Sequence, residues 1–287
     1  MIWIFKRTTA LAVFGYVLMA GFFIAGLAFD IPFFPMMALM FLIPLGIEIG
    51  ALFWSVKLFS IHMDTANTDA EGFLAKNQQL YRKVRGKLKP VILENEITML
   101  INYRRIRDAE SRLPELAQQI MPSDTANQFF YLTILMELDT LKRNYTHMDA
   151  YISEKRILLD RMGSSISQKN KARLELSFEL SVISAEFYSR SLQRLRNEDI
   201  ALAQRYLGLI MRSLDSVKDV KISKNYSIME LNYEAGTACA VMDQEQQARE
   251  YFERVVSTGY IFPEVAAAAE YLRTGDPEPL LARPEFR

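Results

Sequence analysis

Apolar positions are distributed along this chain in two ways, and each predicts a different kind of structure. Residues 8–29 form a run of 22 residues without a charged side chain. As a helix such a run is about 33 Å long, enough for a hydrocarbon layer of about 30 Å. A second apolar stretch extends from Ile31 to Trp54, interrupted only by Glu48. Pro32 and Pro35 suit a turn and a first helical turn. The pattern therefore predicts two transmembrane spans, about 8–29 and 35–57, joined as a tight antiparallel hairpin. Pro44 falls inside the second span, where it should free the Met40 carbonyl and kink the helix.

Beyond the hairpin the period changes. Thr68-Asp-Ala-Glu71 reads as a capping box that opens a helix. Phe73, Leu74, Leu80, Tyr81, Val84 and Leu88 then recur at helical spacing among basic residues. Residues 62–89 are thus expected to form a basic amphipathic helix beside the membrane, stopped by Pro90. From there to residue 274 no convincing strand run occurs. Segments of helical periodicity alternate with breaks near Met121-Pro-Ser-Asp124, Arg143-Asn-Tyr-Thr146, Met162-Gly-Ser-Ser165, Arg196-Asn-Glu-Asp199, Val220–Lys224 and Asp243-Gln-Glu. Ser123 or Asp124, and Asp199, are the expected N-caps. One long helix is expected from about Ser167 to Arg196, burying Leu174, Phe178, Val182, Phe187 and Leu192. Residues 275–287, with three prolines, read as a loose tail. The expected fold is all-α: a membrane hairpin followed by a row of helix pairs.

Charge orients this scheme. The chain is neutral, with 34 basic and 34 acidic side chains. The first 89 residues hold nine basic and five acidic ones, leaving 25 and 29 in the remainder. Lys6, Arg7 and Lys57 flank the two spans, and the connecting loop carries only Asp30. The positive-inside rule then places both termini in the cytoplasm. Lys6, Arg7 and the following apolar run also fit a signal peptide cleaved after Gly26-Leu27-Ala28, an alternative that keeps the body on the same side. Lys76, Arg82, Lys83, Arg85, Lys87 and Lys89 read either as a topology signal on a solvated face or as contacts to anionic lipid head groups. A mildly acidic body argues against a nucleic-acid partner.

Gly46-Ile-Glu-Ile-Gly50 carries two small residues that permit close helix approach. Glu48 between them lies in the hydrocarbon, roughly opposite Tyr16 in the hairpin. It reads as a lock for hairpin or homo-oligomer packing, or as a contact with a second membrane protein.

In the last third of the chain, Asn232-x2-Ala235-Gly236-x2-Cys239 is followed by Ala248-x3-Phe252-x2-Val255. This spacing resembles a tetratricopeptide repeat over about 34 residues. Small Gly236 and Ala248 would sit where two antiparallel helices touch, and Phe252 would fill the space against the next pair. The match is partial: Asn232, Cys239 and Tyr260 stand where the family prefers Trp, Tyr and Pro. Ala109-x3-Leu113-x2-Leu116 and Ala203-x3-Leu207-x2-Ile210 echo the second helix more weakly. The resemblance implies an α-solenoid that binds peptides in a concave groove, with Glu230, Tyr233 and Thr237 facing it.

Searching for chemistry adds little. Cys239 is the only cysteine and His62 and His147 the only histidines, so neither a disulfide nor a paired-histidine metal motif is available. There is no glycine-rich phosphate loop and no Gly-x-Ser-x-Gly elbow. No cofactor and no enzymatic activity are expected. The leading expectation is a membrane-anchored interaction scaffold; the alternative is an accessory subunit of a transport or channel assembly that uses the hairpin as its interface.

Overall fold

A computed structural model of the chain describes residues 61–84, 86, 88–163, 166–190, 197–218, 224–277 and 280. The expected spans, with Tyr16, Gly46, Glu48 and Gly50, lie outside these residues, as do Arg85, Lys87, Leu192 and most of the tail. Among the described residues no helix is long and apolar enough to cross a membrane.

Those residues are helical throughout, with no strand. A short helical stretch at 61–66 turns into α1 (Ala70–Lys83). There follow α2 (Leu88–Asn102), α3 (Ile106–Gln119), α4 (Thr125–Leu141) and α5 (Met148–Met162). The chain continues with α6 (Gln168–Arg190), α7 (Asn197–Val217), α8 (Lys224–Val241), α9 (Glu245–Val256) and α10 (Pro263–Thr274). Consecutive helices pack together except α3 with α4, and α2 also touches α4, α4 touches α6, and α8 touches α10. The array is repeat-like: α2, α4, α6 and α8 stand on the inside and their partners on the outside.

The division is visible in which side chains are buried. Outer α9 buries one stripe, Ala248, Phe252 and Val255. Inner α4 buries Phe129, Leu132, Ile134, Met136 and Leu138, positions that point around the whole helix. An amphipathic stripe suits a helix with one covered face, and burial all round suits one with neighbours on every side.

Three of the pair connections close in the same way. Arg104, Arg143 and Asp243 adopt left-handed φ angles of 60°, 56° and 56°. At each, two backbone N–H groups return to the end of the preceding helix: Arg105 N to Leu100 O at 2.8 Å, Asn144 N to Asp139 O at 2.8 Å, and Gln244 N to Cys239 O at 2.9 Å are the longer-range bonds. This is the Schellman closure, which satisfies carbonyls otherwise left open at a helix end.

Several expectations need correction. The N-cap of α1 is Asp69, whose carboxylate accepts from Gly72 N at 2.8 Å, and not Thr68. α1 ends at Lys83, because Val84 turns extended and Gly86 takes a φ of 65°. Pro90 does not stop a helix; it sits in the first turn of α2, where its missing N–H removes no helical bond. Asp199 lies inside α7, which already starts at Asn197. The apolar side of α1 does not face lipid. Phe73, Leu74 and Tyr81 are buried in one core with Ile92 and Leu93 of α2 and with Tyr271 of α10. Asn77 Nδ2 donates to Ile92 O at 2.9 Å, and Tyr81 OH to Glu115 of α3.

The pair α8–α9 has the sterics that its spacing suggested. A Cβ on Gly236 would lie 2.7 Å from Phe252 Cε1, so only glycine allows this approach. Phe252 reaches on to Tyr271 of α10, ring centroids 4.8 Å apart.

An open groove, however, is not what the array forms. Its first and last elements meet. Ile261 N donates to Asn67 O at 3.1 Å, Tyr103 stacks on Phe262 with centroids 5.6 Å apart, and Arg104 pairs with Glu264. The inner helices therefore surround a space.

Candidate functional site

That space is a cavity of about 320 Å³. Each inner helix contributes polar residues to it at intervals of three or four, the spacing that puts side chains on one helical face. From α2 come Thr98 and Asn102, from α4 Thr133, Glu137 and Thr140, from α6 Ser177, Ser181 and Ser184. Helix α8 supplies Tyr226, Glu230 and Glu234, α10 supplies Glu264, and Tyr206 enters from α7. Leu180, Met136 and Leu231 add apolar wall. Arg104, held in its left-handed turn, is the one cation lining the space among the described residues.

The hydroxyls are oriented by their own helices. Thr133 Oγ1 donates to Phe129 O at 3.0 Å, Thr140 Oγ1 to Met136 O at 2.7 Å, and Ser181 Oγ to Phe178 O at 2.8 Å. With their protons committed to the backbone, these oxygens offer lone pairs to the cavity.

The carboxylates differ in how they are held. Glu234 accepts from Tyr188 OH at 2.8 Å and from Tyr206 OH, which in turn lies 3.1 Å from Ser184 Oγ. Glu264 pairs with Arg104, yet its Oε2 is buried without a hydrogen-bond partner, as is Arg104 Nε. The side chain of Glu230 is half-buried overall, but its carboxyl lies deep in the molecule. No described residue donates a hydrogen bond to it. Desolvation, reinforced by Glu137, Glu234 and Glu264, pushes it up to about 8. Burial likewise raises the Tyr206 and Tyr226 phenols well above their ordinary value.

Lys155 of α5 approaches the cavity from behind α6. It is 1 % exposed, its Nζ lies 3.4 Å from Ser181 Oγ, and it sits 4.6 Å from the Phe129 ring centre. Burial pulls its ammonium down to about 8. A serine beside a weakened lysine invites comparison with a nucleophile and its base. Here the serine proton goes to Phe178 O, and Ser181 stands mid-helix, where backbone N–H groups are taken and none is left to hold an oxyanion. The arrangement suits binding rather than acyl transfer. Among the described residues no three His, Cys, Asp or Glu are grouped to hold a metal ion.

Of the three groove residues expected from the sequence, Glu230 lines the cavity. Tyr233 and Thr237 do not: both are buried, and Thr237 Oγ1 donates to Tyr233 O at 3.0 Å. Tyr233 packs on Phe252, with centroids 5.9 Å apart. Helix α8 is covered by α7 and α9, so those two positions face packing partners. Lys76, Arg82 and Lys83 are exposed, whereas Lys89 is half-buried with its Nζ 4.6 Å from the Tyr81 ring centre. His147 is exposed, and His62 stacks on Phe73 at 4.7 Å, its pKa lowered mainly by burial. Burial raises the Cys239 thiol to about 11, which makes it unreactive. The inner stripe of Ser, Thr and Glu was the signal that sequence reading passed over: Thr133/Glu137/Thr140 and Ser177/Ser181/Ser184 repeat one spacing on successive inner helices.

No protein family, no curated protein and no solved structure matches the chain significantly.

Proposed function

We propose that this chain is a membrane-anchored binding module, whose tetratricopeptide-like helical body, on the cytoplasmic side, holds a ligand or partner segment against its inner face. The observation that carries this reading is the cavity itself. Polar side chains from every inner helix converge on one space, which Met136, Leu180 and Leu231 complete with apolar wall. A fold built only for stability would fill that space with apolar side chains, since buried polar groups weaken it unless paired. The exposed Lys76, Arg82 and Lys83 support the body lying close to anionic head groups through charge alone, the apolar side of α1 being occupied.

The test is site-specific photocrosslinking in native membranes. A diazirine analogue of leucine replaces Leu180, which lines the cavity, and in a second protein replaces Ile157, which is 51 % exposed. Adducts to another molecule are expected at Leu180 in excess of those at Ile157. Equal or absent adducts at Leu180 would remove the reading. Glu48, between Gly46 and Gly50 in the second expected span, supports a second reading, in which the hairpin docks onto another membrane protein as an accessory subunit.

A further inference from the structure

The cavity is matched to a particular charge and a particular hydrogen-bonding character. Among the described residues four carboxyl groups and one guanidinium line it, so it is acidic even with Arg104 paired. The hydroxyls of Thr133, Thr140 and Ser181 present acceptors. Glu230 has no donor among the described residues, and the inward Oε2 of Glu264 has none either. Arg104 Nε is also unpartnered, but the acceptors outnumber it, and a primary ammonium, which donates several hydrogen bonds and accepts none, answers them. A bare metal ion is a poorer fit, because among the described residues no three ligating side chains are grouped for one.

Shape points the same way. A cavity of about 320 Å³ is at the small end of the range that ligand sites occupy. Leu180, Met136 and Leu231 supply apolar wall for methylenes. We infer that the inner cavity takes an aliphatic chain ending in a primary ammonium, with Glu230 as the carboxylate that receives it. This rests on the inner face being the binding site, and it names the chemistry of what binds there. Two sources carry this chemistry: a free polyamine, or a lysine side chain inserted from a protein segment.

Binding also moves a proton. The charged and titratable groups facing Glu230 are Glu137 from α4, Glu234 and Tyr226 from its own helix, Tyr206 from α7, Glu264 from α10, and Arg104 from the α2–α3 turn. The lining residues of α2 and α6 are uncharged. An ammonium among these carboxylates favours the ionised form of Glu230, so a cation entering at neutral pH releases a proton.

The experiment is calorimetric titration of the full-length protein in zwitterionic nanodiscs. The titrants are spermidine and, separately, an acetylated and amidated Gly-Lys-Gly peptide, with octanediol as the uncharged control. At least one cation is expected to bind, octanediol is not, and Glu230→Gln should weaken binding about tenfold or more, whereas Glu253→Gln on the exposed side of α9 should not. Spermidine alone binding identifies a free polyamine; the peptide binding as well or better identifies a lysine side chain. Repeating the parent titration in two buffers of different ionisation enthalpy should show proton release, a readout that survives any folding defect in the variant. No binding of either cation, or binding to the parent with no proton released, overturns the inference. Crosslinking at Leu180 that persists alongside such a result would leave the binding-module reading intact.

Discussion

Replacing Glu230 by Gln tests the electrostatics of the cavity independently of any ligand. Glu230 is pushed up to about 8 from an ordinary value of 4.5. A carboxyl whose native pKa is raised binds its proton more tightly folded than unfolded. Stability is therefore highest below the unfolded pKa and declines as pH rises from about 4.5 to about 8, where the native group finally ionises. At 1.36 kcal/mol per pKa unit the full shift corresponds to roughly 5 kcal/mol, and solvent entering the cavity screens this to about 2–3 kcal/mol. Glutamine has nearly the same shape and no charge. At about pH 4 the variant and parent should melt alike, and at about pH 9 the variant should be more stable by about 2–3 kcal/mol. For a body of this size that is a rise in Tm of about 4–12 °C. Glu94, itself raised to about 7 by burial, is present in both proteins and drops out of the difference. Far-UV circular dichroism melts of the full chain in detergent at the two pH values measure it. A variant whose advantage fails to grow with pH would show that Glu230 is not held protonated by burial beside Glu137, Glu234 and Glu264.

Three further outcomes follow from the same structure. Gly236→Ala drives a methyl to 2.7 Å from Phe252 Cε1 and should cost about 1–3 kcal/mol in denaturant unfolding, most of it recovered in the double variant with Phe252→Leu. Lys155→Met removes an ammonium that burial weakens to about 8. A base with a lowered native pKa contributes stability only as pH rises past that value, so the variant should match or exceed the parent by about 1–3 kcal/mol near neutral pH and lose that advantage above about pH 10. A reporter fused after Arg287 should be inaccessible from outside intact cells; accessibility would reverse the orientation drawn from the basic residues.

How much of this was legible in the chain depends on which interaction set each feature. The helix pair α8–α9 was readable because Gly236, Ala248 and Phe252 satisfy a local steric need that repeats in many proteins. The break at Tyr103–Arg105 was missed because no glycine or proline marks it; Arg104 takes the left-handed turn that glycine usually takes. The docking of α1 was missed because an amphipathic basic helix looks the same whether its apolar face meets lipid or Ile92 and Leu93. Tyr233 and Thr237 were misplaced because the groove positions assume an open array. Closure depends on residues far apart in sequence, Asn67 with Ile261 and Arg104 with Glu264. No periodicity within one segment announces such a contact.

Closure also gives one turn geometry two opposite responses to the same change. Asp243 and Arg104 both hold a left-handed φ at a Schellman turn, which strains an L-residue by roughly 1–2 kcal/mol. Asp243 is exposed, so Asp243→Gly relieves strain and loses little; after the unfolded-chain entropy of glycine it should stabilise by about 0.5 kcal/mol. Arg104→Gly relieves the same strain but deletes the partner of Glu264, with both side chains 12 % exposed. It leaves Glu264 beside Glu137, Glu230 and Glu234 with no cation lining the cavity. Breaking a buried pair by removing one member costs about 3–5 kcal/mol, so a net loss of about 2–4 kcal/mol is expected. The first and last elements of the array should separate earlier than the rest, seen as faster amide exchange around Asn67 and Ile261 than in α4. Equal, small effects of the two substitutions would mean that the Arg104–Glu264 contact does not hold the array closed, and the acidic cavity between the inner helices would lose its physical basis.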